Sequence, residues 1–261
     1  MFTHGFPDSE LPTKTIISNT MYTNLIQKID RDIGAQLRSL GIGEKRNQKH
    51  QFPCVTISRQ YGCEGVPVAL ALVDKLTTDE FPWVLFHREL ITEISESDLI
   101  RKDLSENILS PHRGMIHQYV DHLLAHKPTD AQLFRKMAET LRILALRGRS
   151  VILGAGSAIL TADIKHTLHV RLQSPMEYRV AKVVKHLGIT EAEARERIQF
   201  RDNRREEFIF EFTRKDIRDP RHYHLIIDNS KFTTDQIAEL IYRSMVLGEM
   251  LPRVAIAQPD I

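Results

Sequence analysis

The sequence predicts an α/β protein in which a mainly parallel sheet is flanked by helices. Three observations predict it. Short β-branched or apolar runs alternate with longer segments of helical apolar spacing through residues 51–250. The run Val55-Thr56-Ile57 breaks into a turn bearing Gly62 and Gly65 that leads directly into a helix. Two later runs, Val151–Leu153 and Leu225–Ile227, end in the turn-forming triplets Gly154-Ala155-Gly156 and Asp228-Asn229-Ser230. Alternation of this kind requires right-handed crossovers and puts ligands at the carboxyl ends of the strands.

The elements follow in order. Residues 1–20 are polar and proline-bearing, and Thr20–Leu40 carries Tyr22, Leu25, Ile26, Ile29, Ile33, Leu37 and Leu40 at helical spacing up to Gly41. A charged linker follows. Residues 1–50 are therefore expected to be a tail, a helical appendage and a linker, 51–250 the organised domain, and 251–261 a loose tail. Within the domain, strand Cys54–Ser58 precedes helix Val68–Leu76, and strand Trp83–Phe86 turns at His87-Arg88-Glu89 into helix Leu90–Ser97. The polar segment to Pro128 has an apolar stripe at Met115, Ile116, Tyr119, Val120, Leu123 and Leu124, so residues 88–128 read as a helical insertion that covers a substrate. Thr129-Asp130-Ala131-Gln132 resembles a capping box for a helix reaching Leu146, which Gly148 stops before strand Ser150–Leu153. Strand Thr167–Leu172 runs through Ser174-Pro175 into a helix ending at Leu187. Thr190-Glu191-Ala192-Glu193 caps a strongly basic helix by the same box chemistry. Strand Leu225–Ile227 and a helix from Thr234 to Gly248 close the domain.

Composition excludes several classes. With 36 Lys+Arg against 34 Asp+Glu, the net charge of +2 gives no chain-wide basic field, which argues against DNA as a partner. RNA is disfavoured too, because glutamates intersperse the arginine-rich stretch 195–218. The two cysteines, Cys54 and Cys63, form neither a disulfide framework nor a metal knuckle and fit a cytoplasmic location. No run approaches the roughly 18 consecutive apolar residues of a membrane span, so no membrane partner is expected. His122 and His126 stand four apart, but no acidic or cysteine partner is spaced as in a zinc site, and a polar helix face accounts for them. No metal ligand is assigned to the protein.

The turn after the first strand is the chemical centre of the sequence. A helix start presents unpaired N–H groups and the positive end of the helix dipole, both of which favour anions. The standard phosphate loop reads Gly-x-x-x-x-Gly-Lys-Ser/Thr. Here Gln60 takes the first glycine position and Val66-Pro67 follow Gly65, so the usual lysine is absent. Arg59 could supply charge from the strand end, whereas Glu64 brings a negative charge. Far along the chain, Arg201 and Arg205 share a helix face with Arg197 beside Asp202 and can deliver charge to a phosphoryl group, or else form a solvated face paired with nearby glutamates.

Several ordered motifs together resemble the cytidylate kinase-like family, relatives of the nucleoside monophosphate kinases in the P-loop superfamily. Ser58-Arg59-Gln60-Tyr61-Gly62 with Gly65 is similar to the family's opening Ser-Arg-Glu-Tyr-Gly loop, and Phe86-His87-Arg88-Glu89-Leu90 to its Phe/Tyr-Asp-Lys-Glu-Ile/Leu segment. Val151–Gly156 resembles the strand ending in Gly-Arg-Gly. Asp202–Phe208 resembles the lid motif Asp-x-x-Arg-x-x-Tyr/Phe, and Asp219–Asn229 the family's Asp-Pro-x-x-Tyr segment. The resemblance implies a three-layer P-loop NTPase-like fold with an acceptor-covering insertion at 88–128 and an arginine-bearing lid at 200–220. It implies transfer of the ATP γ-phosphate, with Mg2+, to CMP or a related nucleoside monophosphate.

On that reading Arg205, Arg201 and Asp202 are the catalytic candidates. Ser58, Arg59, Gly62, Cys63, Glu64, Gly65, Val66 and Asn229 would hold the nucleotide; His87, Arg88, Gly154, Gly156 and Arg179 would hold the acceptor. Three positions depart from the family: Val66 in the loop, Ala155 at the arginine of Gly-Arg-Gly, and His87 at the aspartate. They motivate a second reading, a nucleotide-binding regulatory or interaction module. The apolar stripe before residue 50 would then serve docking or a homodimer.

Overall fold

The computed structural model of the protein describes residues 52–87, 91 and 132–251. The helical appendage, the 88–128 insertion apart from Ile91, Arg88 with it, the cap at Thr129 and the C-terminal tail after Leu251 lie outside the described residues.

Among the described residues the order is β1 (Cys54–Arg59), α1 (Gly65–Leu76), β2 (Val84–Phe86), α2 (Gln132–Arg147), β3 (Ser150–Leu153), α3 (Ser157–Leu160), β4 (Thr167–Gln173), α4 (Met176–Leu187), α5 (Glu191–Thr213), a 3-10 turn (Pro220–His222), β5 (Leu225–Asp228) and α6 (Thr234–Leu247). The five strands form one sheet in the order β2-β3-β1-β4-β5, and every neighbouring pair is parallel. β1 is central. Its pairing to β3 on one side and β4 on the other creates the reversal of strand order at which α/β sheets open a crevice beyond their carboxyl ends.

Near-continuous apolar strands are what a sheet covered on both faces demands. Val55, Ile57, Val151, Leu153, Val170 and Leu172 pack with Val68, Ala69 and Leu72 of α1 and with Ile237, Ala238 and Ile241 of α6. On the other face Cys54 and Ile152 meet Phe134, Leu141 and Leu144 of α2 and Leu160 of α3. Burying each such large side chain stabilises the fold by about 1.5–3 kcal/mol. β4 breaks the pattern. Its alternate residues His169 and Arg171 are buried beside Thr56 and Ser58 of β1, so this end of the second face is a polar layer.

Helix α5 carries residues 200–213 of the stretch expected to be the lid. Its start is fixed by the predicted box, in which Thr190 Oγ1 accepts from the Glu193 N–H and the Glu193 carboxylate accepts from the Thr190 N–H. Its far half is held by aromatic packing, with Phe134 of α2 stacked on Phe212 at 4.4 Å and edge-on to Phe208 at 5.7 Å. The helix therefore lies across the sheet with its middle turn, Arg201–Arg205, at the carboxyl end of β1.

Candidate functional site

The carboxyl ends of β1 and β3 and the facing side of α5 border a small pocket that opens to solvent. Ser58, Arg59, the turn Gly154–Gly156, Arg205 and Tyr223 line it. All three residues of the turn are left-handed, with φ of +81° at Gly154, +56° at Ala155 and +69° at Gly156. At Gly154 a side chain would run into Nη1 of Arg59, so the absence of a Cβ is what lets the guanidinium lie against the turn. Arg205 closes the other side, donating from Nη1 to the Arg59 carbonyl at 2.9 Å. Two cations from elements 146 residues apart thus line one small pocket.

Behind the pocket lies the polar layer of β1 and β4. Buried Arg171 donates to the Ile217 carbonyl at 2.8 Å, as does the Tyr223 hydroxyl at 2.6 Å, and that hydroxyl is 3.3 Å from Ser58 Oγ. Sequence reasoning did not single out Tyr223. The signal was available, because it is the tyrosine of the Asp-Pro-x-x-Tyr segment.

The loop from Gln60 to Gly65 differs from an open phosphate cradle. Its Tyr61 N–H donates to Asp202 Oδ1 at 2.8 Å, the Cys63 N–H to the Gln60 carbonyl at 3.2 Å, the Glu64 N–H to Asn229 Oδ1 at 2.8 Å, and the Gly65 N–H to the Cys63 carbonyl at 2.8 Å. Four of the loop amides expected to face phosphate thus already have protein acceptors. Gly62, at φ +89°, sits where a Cβ would come within 2.9 Å of Arg179 Cβ, so the loop can pack flat on α4 only with glycine there. Asn229 is 1% exposed and serves as the loop's anchor.

Glu64 turns its carboxylate to Lys182 Nζ at 2.7 Å and to the Tyr178 hydroxyl at 3.2 Å, both on α4. The Lys182 hydrogen bond holds the Glu64 carboxyl below the usual carboxylate range. The negative charge in the loop is thereby neutralised from outside it. Lys182 and Tyr178 escaped sequence reasoning because nothing local links positions more than a hundred residues apart. Cys63 Sγ lies 3.6 Å from Ser174 Oγ, and burial pushes its thiol up, which makes it a packed thiol rather than a nucleophile. Val66 is more than a third exposed on the first turn of α1.

The lid residues divide. Asp202 accepts from Arg179 Nη1 at 2.6 Å and from Arg205 Nη1 at 3.3 Å. Arg179, 6% exposed, also donates to the Ser174 and Tyr61 carbonyls, so it ties α4 to the loop instead of opening onto the pocket. Arg201 is half-buried one turn before Arg205, and Arg204 is exposed. His87 directly follows the edge strand β2, two strands from β1 and outside the pocket lining, and Arg88 lies outside the described residues.

The sequence profile of the cytidylate kinase-like family matches residues 54–231, which spans every strand of the sheet and the whole of α5. The chain belongs to the cytidylate kinase-like family. It has that family's kinase-like, nucleotide-binding fold. An uncharacterized protein from Eubacterium ventriosum, solved by crystallography, superposes with a TM-score of 0.57 at 19% identity, covering 75% of this chain and 98% of the other, a likeness of fold alone. A uronate isomerase from Corynebacterium glutamicum is 29% identical over 97 residues, 37% of this chain. This cytidylate kinase-like chain spans about a fifth of that isomerase's length, since the matched stretch is 19% of it. No described helix of this family member is long and apolar enough to cross a membrane.

Proposed function

We propose that the protein is a cytoplasmic phosphotransferase that moves the γ-phosphate of ATP to CMP or a related nucleoside monophosphate. The observation that carries this reading is the convergence of Arg59 and Arg205 on one small pocket at the carboxyl ends of β1 and β3. In phosphoryl transfer, charge builds on the equatorial and bridging oxygens, so catalysis needs position and cations and no protein nucleophile. An acceptor phosphate oxygen attacks the γ-phosphorus, the bond to the bridging oxygen breaks, and ADP leaves with a nucleoside diphosphate as co-product. Arg59 takes the donor phosphates, while Arg205 and Arg201 neutralise the transferred group. Asp202 orients Arg205 until the phosphate arrives. Gly154 and Gly156 let the acceptor phosphate approach the backbone, and residues 88–128 close over the acceptor. Residues 51–250 form the working unit, with 200–220 as its lid.

Among the described residues no three His, Cys, Asp or Glu side chains cluster as a metal site. Magnesium usually takes only one or two carboxylates with waters and substrate phosphates, so the residues present fit a metal that arrives on the nucleotide, with Asp202 the carboxylate beside the arginines. When bound, it supplies charge neutralisation on the phosphate oxygens.

The test is direct. Purified protein with ATP, magnesium and a panel of nucleoside monophosphates should yield diphosphate product, and Arg205→Ala should lower turnover by about 100-fold or more. ATP binding by calorimetry without turnover on any acceptor would sink the kinase reading. That outcome would favour a nucleotide-binding regulatory module, a reading supported by loop amides already bonded within the protein and by Val66 and Ala155.

A further inference from the structure

Asp202 stands at the meeting point of three donors. Its Oδ1 takes the Tyr61 N–H at 2.8 Å and Arg205 Nη1 at 3.3 Å, and its Oδ2 takes Arg179 Nη1 at 2.6 Å. The three come from separate parts of the fold: the turn after β1, the first turn of α4, and α5 itself. A main-chain N–H in a glycine-bearing turn together with two guanidinium groups is a donor set for a tetrahedral oxyanion, because each supplies a hydrogen bond that strengthens with charge on the acceptor. Here a carboxylate of the chain's own satisfies it. That carboxylate is 17% exposed, so it is close enough to solvent to be displaced.

We infer that Tyr61 N–H, Arg179 and Arg205 form a phosphoryl-binding site, and that Asp202 fills it as an internal stand-in until a ligand phosphate displaces it. The same contacts make the occupied state a latch. Asp202 fastens α5 to the loop and to α4, and the Arg205 bond to the Arg59 carbonyl fastens it to the end of β1. A phosphate that takes the three donors also repels the carboxylate, so binding must release Asp202 and shift the middle of α5. The price of a closed empty site is affinity, since a phosphate must compete with a carboxylate already bound. The assignment rests on the phosphotransferase reading only for which phosphate arrives.

Inorganic phosphate and tripolyphosphate are the probes, titrated calorimetrically against the full chain and Asp202→Asn. Removing the competing charge while keeping the side chain's shape should tighten phosphate binding by about tenfold or more. Equal or weaker binding by a folded Asp202→Asn overturns the inference. A larger gain for tripolyphosphate assigns the site to the donor nucleotide, and an equal gain for both probes assigns it to a monophosphate; either supports it. The double variant Asp202→Asn, Arg179→Lys should lose the gain. If Asp202→Asn does not fold, the Tyr61 amide resonance of the unmodified chain decides: it must move on phosphate titration, and a static resonance at saturating phosphate overturns the site. None of these readouts needs turnover. A gain in phosphate affinity with no kinase activity would keep the site and discard the phosphotransferase reading.

Discussion

Gly154 shows how one missing side chain can set a site. Its φ of +81° costs an L-residue about 1 kcal/mol, and its Cβ position is taken by Arg59 Nη1. Gly154→Ala should therefore lose stability and also expel the Arg59 guanidinium from the pocket wall. Gly188, which ends α4 at φ +68° with nothing within 4 Å of its Cβ position, separates the two effects. Gly188→Ala should lose about 1 kcal/mol in urea denaturation and keep its affinity for ATP, whereas Gly154→Ala should lose at least as much stability and about tenfold in affinity. Equal ATP affinities in the two variants would mean that Arg59 does not bind the nucleotide. Ala155 between the two glycines adopts the same left-handed conformation without glycine's freedom.

At the scale of elements, strand β4 couples the sheet to pH. His169 is 3% exposed, with its ring Nδ1 2.8 Å from Thr56 Oγ1 and its backbone N–H donating to His224 Nδ1 at 3.0 Å. Burial, with His224 and His222 as charged neighbours, pulls its imidazolium down to about 4 from an ordinary value of 6.5. Burial lowers His224 and His222 as well. Between pH 6.5 and 4 the unfolded chain binds a proton that folded His169 refuses, so stability is full above about 6.5 and falls as pH drops through that window. The loss from His169 alone should reach roughly 3 kcal/mol by pH 4. His169→Gln should flatten the dependence of urea midpoint on pH over that range, and an unchanged slope would discard the assignment. The strands and helices that carry this network were legible in the sequence, since apolar period, Gly148 and the box at Thr190 are local signals. The network itself was not. Register decides that Thr56 lies beside His169, and register comes from sheet assembly, not from either strand's own pattern. For the same reason Arg205 and Asp202 could be named as candidates from their helix spacing, while the Tyr61 amide, 141 residues from Asp202, could not be named as their partner.

Across the whole molecule, the two edges of the sheet have different work. The pocket lies at the carboxyl ends, and the amino ends carry a clamp in which the Arg149 guanidinium lies 3.6 Å from the Phe52 ring centre and 4.3 Å from that of Phe81. The Arg149 N–H adds a bond to the Pro53 carbonyl at 2.7 Å, so the first described residues are pinned to the start of β3. A six-residue strand at about 3.3 Å per residue separates this clamp from the pocket by roughly 20 Å. Whatever residues 1–50 do, they join the domain at the edge remote from the arginines. Removing them while keeping Phe52 should then leave ATP affinity within about twofold, because Phe52 stands a strand's length from the pocket. Cutting three residues further, so that the chain begins at Cys54, should cost about 1–2 kcal/mol of stability through the lost cation–π and packing contacts of Phe52. Calorimetric ATP titration and urea denaturation of the two shortened chains check both halves, and sedimentation of the first reports whether the apolar stripe of residues 22–40 joins two copies. A loss of ATP binding on removal of residues 1–50 alone would mean that the N-terminal segment reaches the pocket, and the division of work between the two edges would fall.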